Sequence, residues 1–241
     1  SGGLPHLQGA LERGGAGRPG PGPGLNRAVA RRDGAGTGLV VSGLGVARGG
    51  IPVLEGLSFS VPAGAALILR GPNGIGKTTL LRTLAGLQPP LAGTVTGADE
   101  DAAYASHADG VKATLSVTEN LAFWAEVYGR TLPQDVFAAF DLETLRDRAA
   151  GTLSSGQTRR LGLARLGVIG RSVLFLDEPT NSLDAFSVRL FADWLRHRHL
   201  ASGGIAVIAT HIDLGIDAPI LELSPYVAAP DASGGSDEAF L

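Results

Sequence analysis

Residues Gly71-Pro72-Asn73-Gly74-Ile75-Gly76-Lys77-Thr78 keep the spacing G-x-x-x-x-G-K-[ST]. That spacing has meaning in one setting, where a buried strand runs into it and a helix leaves it. Both flanks are legible. Ala65–Leu69 is a short, almost wholly apolar run, as a strand covered on both faces requires. Thr78–Gly86 reads as a helix closed by Gly86. Gly74 and Gly76 let the backbone curl so that successive N–H groups converge on an anion. The helix that follows points its positive end at the same spot. Lys77 adds a full charge between β- and γ-phosphates, Thr78 a hydroxyl for Mg²⁺, and Thr79 a further phosphate donor. The ligand implied is a nucleoside triphosphate with Mg²⁺. Alone, the loop does not separate a kinase from a GTPase or a transport ATPase.

Composition removes several other classes. There is no cysteine among the 241 residues, which excludes disulfides, thiolate metal sites and thiol nucleophiles. The formal charge of −3 argues against a nucleic-acid partner. The longest apolar stretches, such as Val173–Leu176 and Ile205–Ala209, are far short of the roughly 20 residues of a membrane span. Any membrane role is therefore expected to be peripheral, through a partner. Residues 1–38 are rich in Gly, Pro and Arg and poor in large apolar residues, so disorder is expected there. Residues 229–241 read as a tail.

Between these ends the pattern is α/β with a helical interruption. Strands are expected at Leu39–Val46, Val53–Val61, Ala65–Leu69, Thr94–Val95, Ala102–Ala105, Val173–Leu176, Ile205–Ala209 and Ile220–Leu223. Helices are expected at Glu119–Tyr128, Gln134–Phe140, Leu142–Arg148, Gly156–Ile169 and Ala185–Leu200. The aromatics Phe123, Trp124 and Tyr128 have near-helical spacing and suit either core packing or a groove for a partner's helix.

Two strand ends carry chemistry. Val173–Leu176 delivers Asp177 and Glu178 to the carboxyl end of the sheet, beside the expected phosphates. Asp177 is suited to Mg²⁺ and Glu178 to acting as general base on the attacking water. Ile205–Ala209 delivers Thr210 and His211, where a histidine can contact the γ-phosphate and orient water.

Leu153-Ser154-Ser155-Gly156-Gln157 resembles the LSGGQ signature of ABC ATPases, with Ser155 in place of the first glycine. Leu183-Asp184 resembles their D-loop. Phosphate loop, signature, acidic strand, D-loop and histidine follow in the family's order over about residues 39–225. The resemblance implies a P-loop NTPase (RecA-like) core with an antiparallel β subdomain and an inserted helical subdomain at about 107–170, within an ATPase domain at 39–228. It implies catalytic roles for Lys77, Glu178 and His211, and a nucleotide-dependent head-to-tail homodimer. ATP then lies between one copy's Gly71–Thr78 and the other's Ser154, Ser155, Gly156 and Gln157, with Asp184 beside it. Arg48 stands where many members carry an adenine-stacking aromatic, and His107 where many carry a glutamine linking Mg²⁺ to the membrane partner.

His107–Lys112 with Leu115–Trp124, Leu161–Leu166 and Gly203–Leu214 looks more narrowly like the CcmA family, the ATP-binding subunits of bacterial cytochrome c maturation. That resemblance implies work at the cytoplasmic face of the inner membrane. The implied partners are a CcmB-like integral membrane permease and heme-handling proteins, and the implied task is heme export or release of a heme-loaded chaperone. No Cys-x-x-Cys-His occurs, and no heme site is expected on the chain itself. Another ABC exporter's ATPase, or a non-transport ABC ATPase, shares most of these motifs.

Overall fold

The computed structural model describes residues 38–106, 109–181 and 183–229, apart from the side chain of Asp99. The expected disordered segment 1–38, except Gly38, and the expected tail 229–241, except Ala229, lie outside the described residues, as does His107.

Three strands pair antiparallel in the order β2-β1-β4: β1 (Leu39–Arg48), β2 (Ile51–Val61) and β4 (Ala92–Thr96). Five pair parallel in the order β5-β6-β7-β3-β8: β3 (Ala66–Arg70), β5 (Ala102–Ala105), β6 (Val173–Asp177), β7 (Ile205–Ala209) and β8 (Ile220–Glu222). The helices are α1 (Lys77–Leu84), α2 (Val117–Val127), α3 (Asp135–Ala139), α4 (Ser155–Ile169) and α5 (Ala185–Trp194).

The two-residue period of the parallel strands sorts their side chains into two cores. Leu67, Leu69, Val173, Phe175, Ile205, Val207 and Ala209 meet Leu80, Leu81 and Leu84 of α1, together with the buried side of the antiparallel sheet. Ile68, Leu174, Leu176, Ala206 and Ile208 face the other way, against residues of α2, α3, α4 and α5. An apolar run with no polar alternation is what such double burial needs.

Turn chemistry fixes the helical layer. Ser116 and Glu119 form a capping box at the start of α2. Asn120 is buried, with its whole amide used: Oδ1 accepts from the Lys112 backbone N–H at 2.8 Å, and Nδ2 donates to the carbonyls of Lys112 at 3.0 Å and Ser116 at 2.9 Å. One side chain therefore ties the loop before α2 to the helix itself.

Two expected helices are corrected. Leu142–Arg148 yields only a 3₁₀ turn at Glu143–Leu145. The carbonyls of Arg146 and Arg148, which a continuing helix would use, instead accept from the N–H groups of Thr118 and Val117 and so complete the first turn of α2. Ala185–Leu200 is α-helical only to Trp194. It widens into a π turn at Leu195–His199 and ends in a 3₁₀ turn at Leu200–Ser202. Trp194 and His199, five residues apart, stack across the widened turn at 5.8 Å, and His199 Nε2 lies 3.1 Å from the Ile205 carbonyl. Burial pushes the His199 imidazole below its usual pKa.

Asn120→Ala strands the Lys112 N–H and takes one of two donors from the Lys112 and Ser116 carbonyls, which keep the backbone N–H groups of Leu115 and Asn120; we expect a loss of about 1–3 kcal/mol in denaturant unfolding. His199 supplies a pH test. Its folded pKa is depressed, so the unfolded chain binds more protons just below the free value of about 6.5, and stability falls as pH drops through that window. The melting temperature should fall between about pH 7 and about pH 5.5, above the ordinary carboxylate range. His199→Gln, which keeps an N–H for Ile205, should lose less over the same interval.

Candidate functional site

The register of the parallel sheet levels three strand ends. Ala209 of β7 pairs with Leu69 of β3 on one side and with Asp177 of β6 on the other. The chain leaving each strand therefore starts from one edge: Gly71–Thr78 after β3, Glu178 after β6, and Thr210–His211 after β7.

The phosphate loop closes onto α1. Gly76 precedes the helix with φ +119°, and a Cβ there would press within 3.2 Å of Leu54 of β2, so both conformation and space call for glycine. No side chain caps α1 and no acid lies in its first turn, which leaves its N–H groups for an anionic ligand. Lys77 is buried, and its Nζ donates to the loop's own carbonyls, Gly71 at 2.7 Å and Pro72 at 3.3 Å. Pro72, Asn73 and Gly74 are exposed, and Ile75 folds back with its N–H to the Pro72 carbonyl at 3.3 Å. Thr79 is buried.

Thr78 Oγ1 donates to Asp177 Oδ2 at 2.7 Å. This hydroxyl–carboxylate pair is a hard oxygen pair of the kind Mg²⁺ takes, completed by water and phosphate oxygens. Among the described residues no cluster of three or more His, Cys, Asp or Glu could hold a metal by itself. Tyr104 of β5 also donates to Asp177 Oδ2, at 3.1 Å. Burial, then the Asp177 charge and this hydrogen bond, push the phenol up to about 12, so it stays a donor at neutral pH.

Glu178 has φ +49°, in the left-handed region. Such a conformation costs a non-glycine residue roughly 1–3 kcal/mol. It is held by its N–H to the Ala209 carbonyl at 2.8 Å, which extends the β6–β7 pairing past the strand end. The Glu178 carboxylate lies 3.3 Å from His211 Nε2, and the same nitrogen lies 3.5 Å from Lys77 Nζ. Nε2 serves one of them at a time: protonated, it donates to Glu178 and leaves Lys77 to the loop carbonyls. Lys77, Thr78, Asp177, Glu178 and His211 are thus brought together.

Ser154, Gln157, Asp184 and Arg48 have partners outside this cluster. Ser154 and Gln157 form a capping box on α4: the Gln157 N–H donates to Ser154 Oγ at 3.3 Å, and the Ser154 N–H to Gln157 Oε1 at 2.9 Å. Ser154 keeps its own hydroxyl proton, and Ser154 and Ser155 are exposed with Gly156 half-buried behind them. Asp184 caps α5 by accepting from the Ser187 N–H at 2.7 Å, which holds its carboxyl below the usual range. Arg48 is exposed on the β1–β2 hairpin, paired with Ile51.

The sequence reading missed Tyr104 and Arg159. Arg159 of α4 is buried, and its guanidinium reaches the Pro179 carbonyl at 2.7 Å and Asp109 Oδ1 at 2.6 Å. A phenol near the carboxyl end of a strand, and an arginine facing inward from a helix, were the available signals.

Among the described residues no helix is long and apolar enough to cross a membrane. The ABC transporter family profile matches residues 54–181. The cytochrome c biogenesis ATP-binding export protein CcmA of Ruegeria pomeroyi is 61% identical over 203 residues, which cover 84% of this chain and 99% of that protein. CcmA of Rhodobacter capsulatus is likewise 61% identical over 203 residues, 84% of this chain and 94% of the relative. Among solved structures, cbiO1 of Clostridium perfringens, part of the ABC transporter complex cbiONQ, superposes with a TM-score of 0.61 at 25% identity, over 72% of this chain and 78% of its own. Strand order, phosphate loop and these likenesses agree: the chain belongs to the ABC transporter family, in its CcmA group of cytochrome c biogenesis ATP-binding export proteins.

Proposed function

We propose that this chain is the ATP-hydrolysing motor of an export complex for c-type cytochrome biogenesis, working as a nucleotide-dependent homodimer. The observation that carries this is a split in the geometry. Lys77, Thr78, Asp177, Glu178 and His211 converge at one sheet edge, while the signature Ser154–Gln157 exposes Ser154 and Ser155 and keeps its hydrogen bonds local. A second copy, placed head to tail, would bring its Ser154 hydroxyl and the positive end of its α4 to the nucleotide.

The residues then divide the work. Lys77 turns from the Gly71 and Pro72 carbonyls to the phosphates, with the open N–H groups of α1 beside it. Thr78 and Asp177 would hold Mg²⁺, which would supply neutralisation of the phosphate charge. Tyr104 keeps Asp177 oriented. Glu178 takes the proton of the attacking water, and His211 fixes the carboxylate that does so. Arg48 is the group on this chain suited to stacking on the base, since a guanidinium plane can replace an aromatic one. His107 takes the role of the glutamine that senses Mg²⁺, and Asp184 belongs to the dimer contact.

The helical subdomain, about 107–170, would receive the membrane partner. Phe123, Trp124 and Tyr128 form a continuous aromatic row, with ring centroids 5.5 and 6.3 Å apart and Lys112 Nζ 4.1 Å above Phe123. The reading is completed by a CcmB-like permease at the cytoplasmic face of the bacterial inner membrane, with heme, or a heme-loaded chaperone awaiting release, as the cargo. No heme site is assigned to this chain.

Glu178→Gln removes the base but keeps every group assigned to nucleotide binding. We expect ATP binding to persist, turnover to fall by roughly a hundredfold or more, and the protein to remain dimeric in ATP. Sedimentation with a phosphate-release assay checks this. Undiminished turnover, or a monomer in saturating ATP, would contradict the assignment.

A further inference from the structure

We propose that Arg159 is a positioning residue for hydrolysis, whose single guanidinium sets the turn carrying Glu178 against Ser106 and Asp109. The inference rests on Glu178 being the general base.

Arg159 sits in the second turn of α4 and is only 7% exposed. One terminal nitrogen donates to the Pro179 carbonyl at 2.7 Å and lies 3.5 Å from the Glu178 carbonyl. The other donates to Asp109 Oδ1 at 2.6 Å and lies 3.4 Å from the Ser106 carbonyl. The planar fork thus spans two pieces of chain that β5 and β6 deliver separately.

Each piece depends on outside support. Glu178 occupies a left-handed conformation and is anchored on its strand side by the N–H bond to Ala209. On the carbonyl side, the Pro179 oxygen just beyond it is held by Arg159, and Asn181 closes the turn with its N–H to the Glu178 carbonyl at 3.2 Å. A backbone held away from its preferred basin relaxes unless its surroundings over-determine it. Asp109, in turn, approaches α4 where Gly162 leaves room: a Cβ at Gly162 would come within 2.8 Å of the Asp109 side chain. The next residue, Gly110, packs beside Arg165, whose guanidinium lies 5.4 Å over the ring of Trp124.

A buried charge pair is an inefficient way to gain stability, because desolvating two ions offsets most of their attraction. It is an efficient way to fix geometry. The helix that begins with the signature also carries this guanidinium, so any shift of α4 is passed to the turn bearing Glu178. The reacting water has little tolerance there, since a misplacement of about 1 Å can cost on the order of a hundredfold in rate.

Arg159→Lys tests this in the full-length chain. A lysine can keep the charge pair with Asp109 but has no fork to hold Pro179 as well. We expect kcat to fall roughly 10- to 100-fold, with KM and the Kd for MgATP within about twofold of wild type and the melting temperature close to unchanged. Unchanged kcat, or a loss of kcat only in step with weaker binding and lower melting temperature, would overturn the inference. Should Arg159→Lys fold poorly, Asp109→Asn serves: it keeps the Pro179 contact and loosens the other anchor. Lower kcat at unchanged Kd supports the role, and wild-type kcat contradicts it. Glu178→Gln runs alongside. An active Glu178→Gln faults the base assignment, whereas an inactive one beside a fully active Arg159→Lys faults the positioning role alone.

Discussion

The parallel pairing of β6, β7 and β3 is the constraint on which the rest of this molecule depends. With Ala209 opposite both Leu69 and Asp177, the three strands end level, and the chain must turn at the same edge three times. A slip of one residue would reverse every side chain of a strand between the two cores. Val173 and Phe175 would exchange faces with Leu174 and Leu176, and α1 would lose its apolar seat. The edge that gathers these side chains is therefore specified by hydrophobic burial well away from it. The hydrogen bonds at the edge, Thr78 to Asp177 and Glu178 N–H to Ala209, are consequences of that register.

The sheet edge gathers a cation, a hydroxyl, two carboxylates and an imidazole, yet the exposed end of α4 satisfies its backbone locally through the Ser154–Gln157 box. The box leaves the Ser154 hydroxyl proton and the positive helix end unspent. Asp184 shows the same economy, capping α5 while remaining exposed. Groups that are locally stable and still offer a donor or a charge are what a surface needs if it meets its partner only when nucleotide is present.

Much of this was legible in the sequence because the relevant signals are local. Ala102–Ala105 and Ile205–Ala209 are strands with the expected bounds, and the other expected strands and most helices begin within about three residues of the expected position, the usual range for such boundaries. Apolar runs and glycine punctuation carry that information. Leu142–Arg148 was misread because its fate depends on the N–H groups of Val117 and Thr118, some thirty residues away and silent in the local pattern. The π turn at Leu195–His199 reflects the stacking of Trp194 on His199 and the bond to Ile205, again a tertiary matter. Arg159 and Tyr104 escaped notice for the same reason. Neither belongs to a recognisable spacing, and their meaning lies in the carbonyl and carboxylate they reach across the fold.

The central claim is that a complete site needs residues from two copies, and mixing two dead variants tests it most directly. Lys77→Ala disables the phosphate loop, and Gly156→Asp places a negative side chain at the signature. Each alone should hydrolyse almost no ATP. A mixed dimer still contains one intact pairing, the phosphate loop of the Gly156→Asp chain facing the signature of the Lys77→Ala chain. Turnover measured on the mixture should therefore recover well above either variant alone. A mixture that stays as inactive as its parts, although the two chains co-purify as a dimer in ATP, would contradict a site shared between copies.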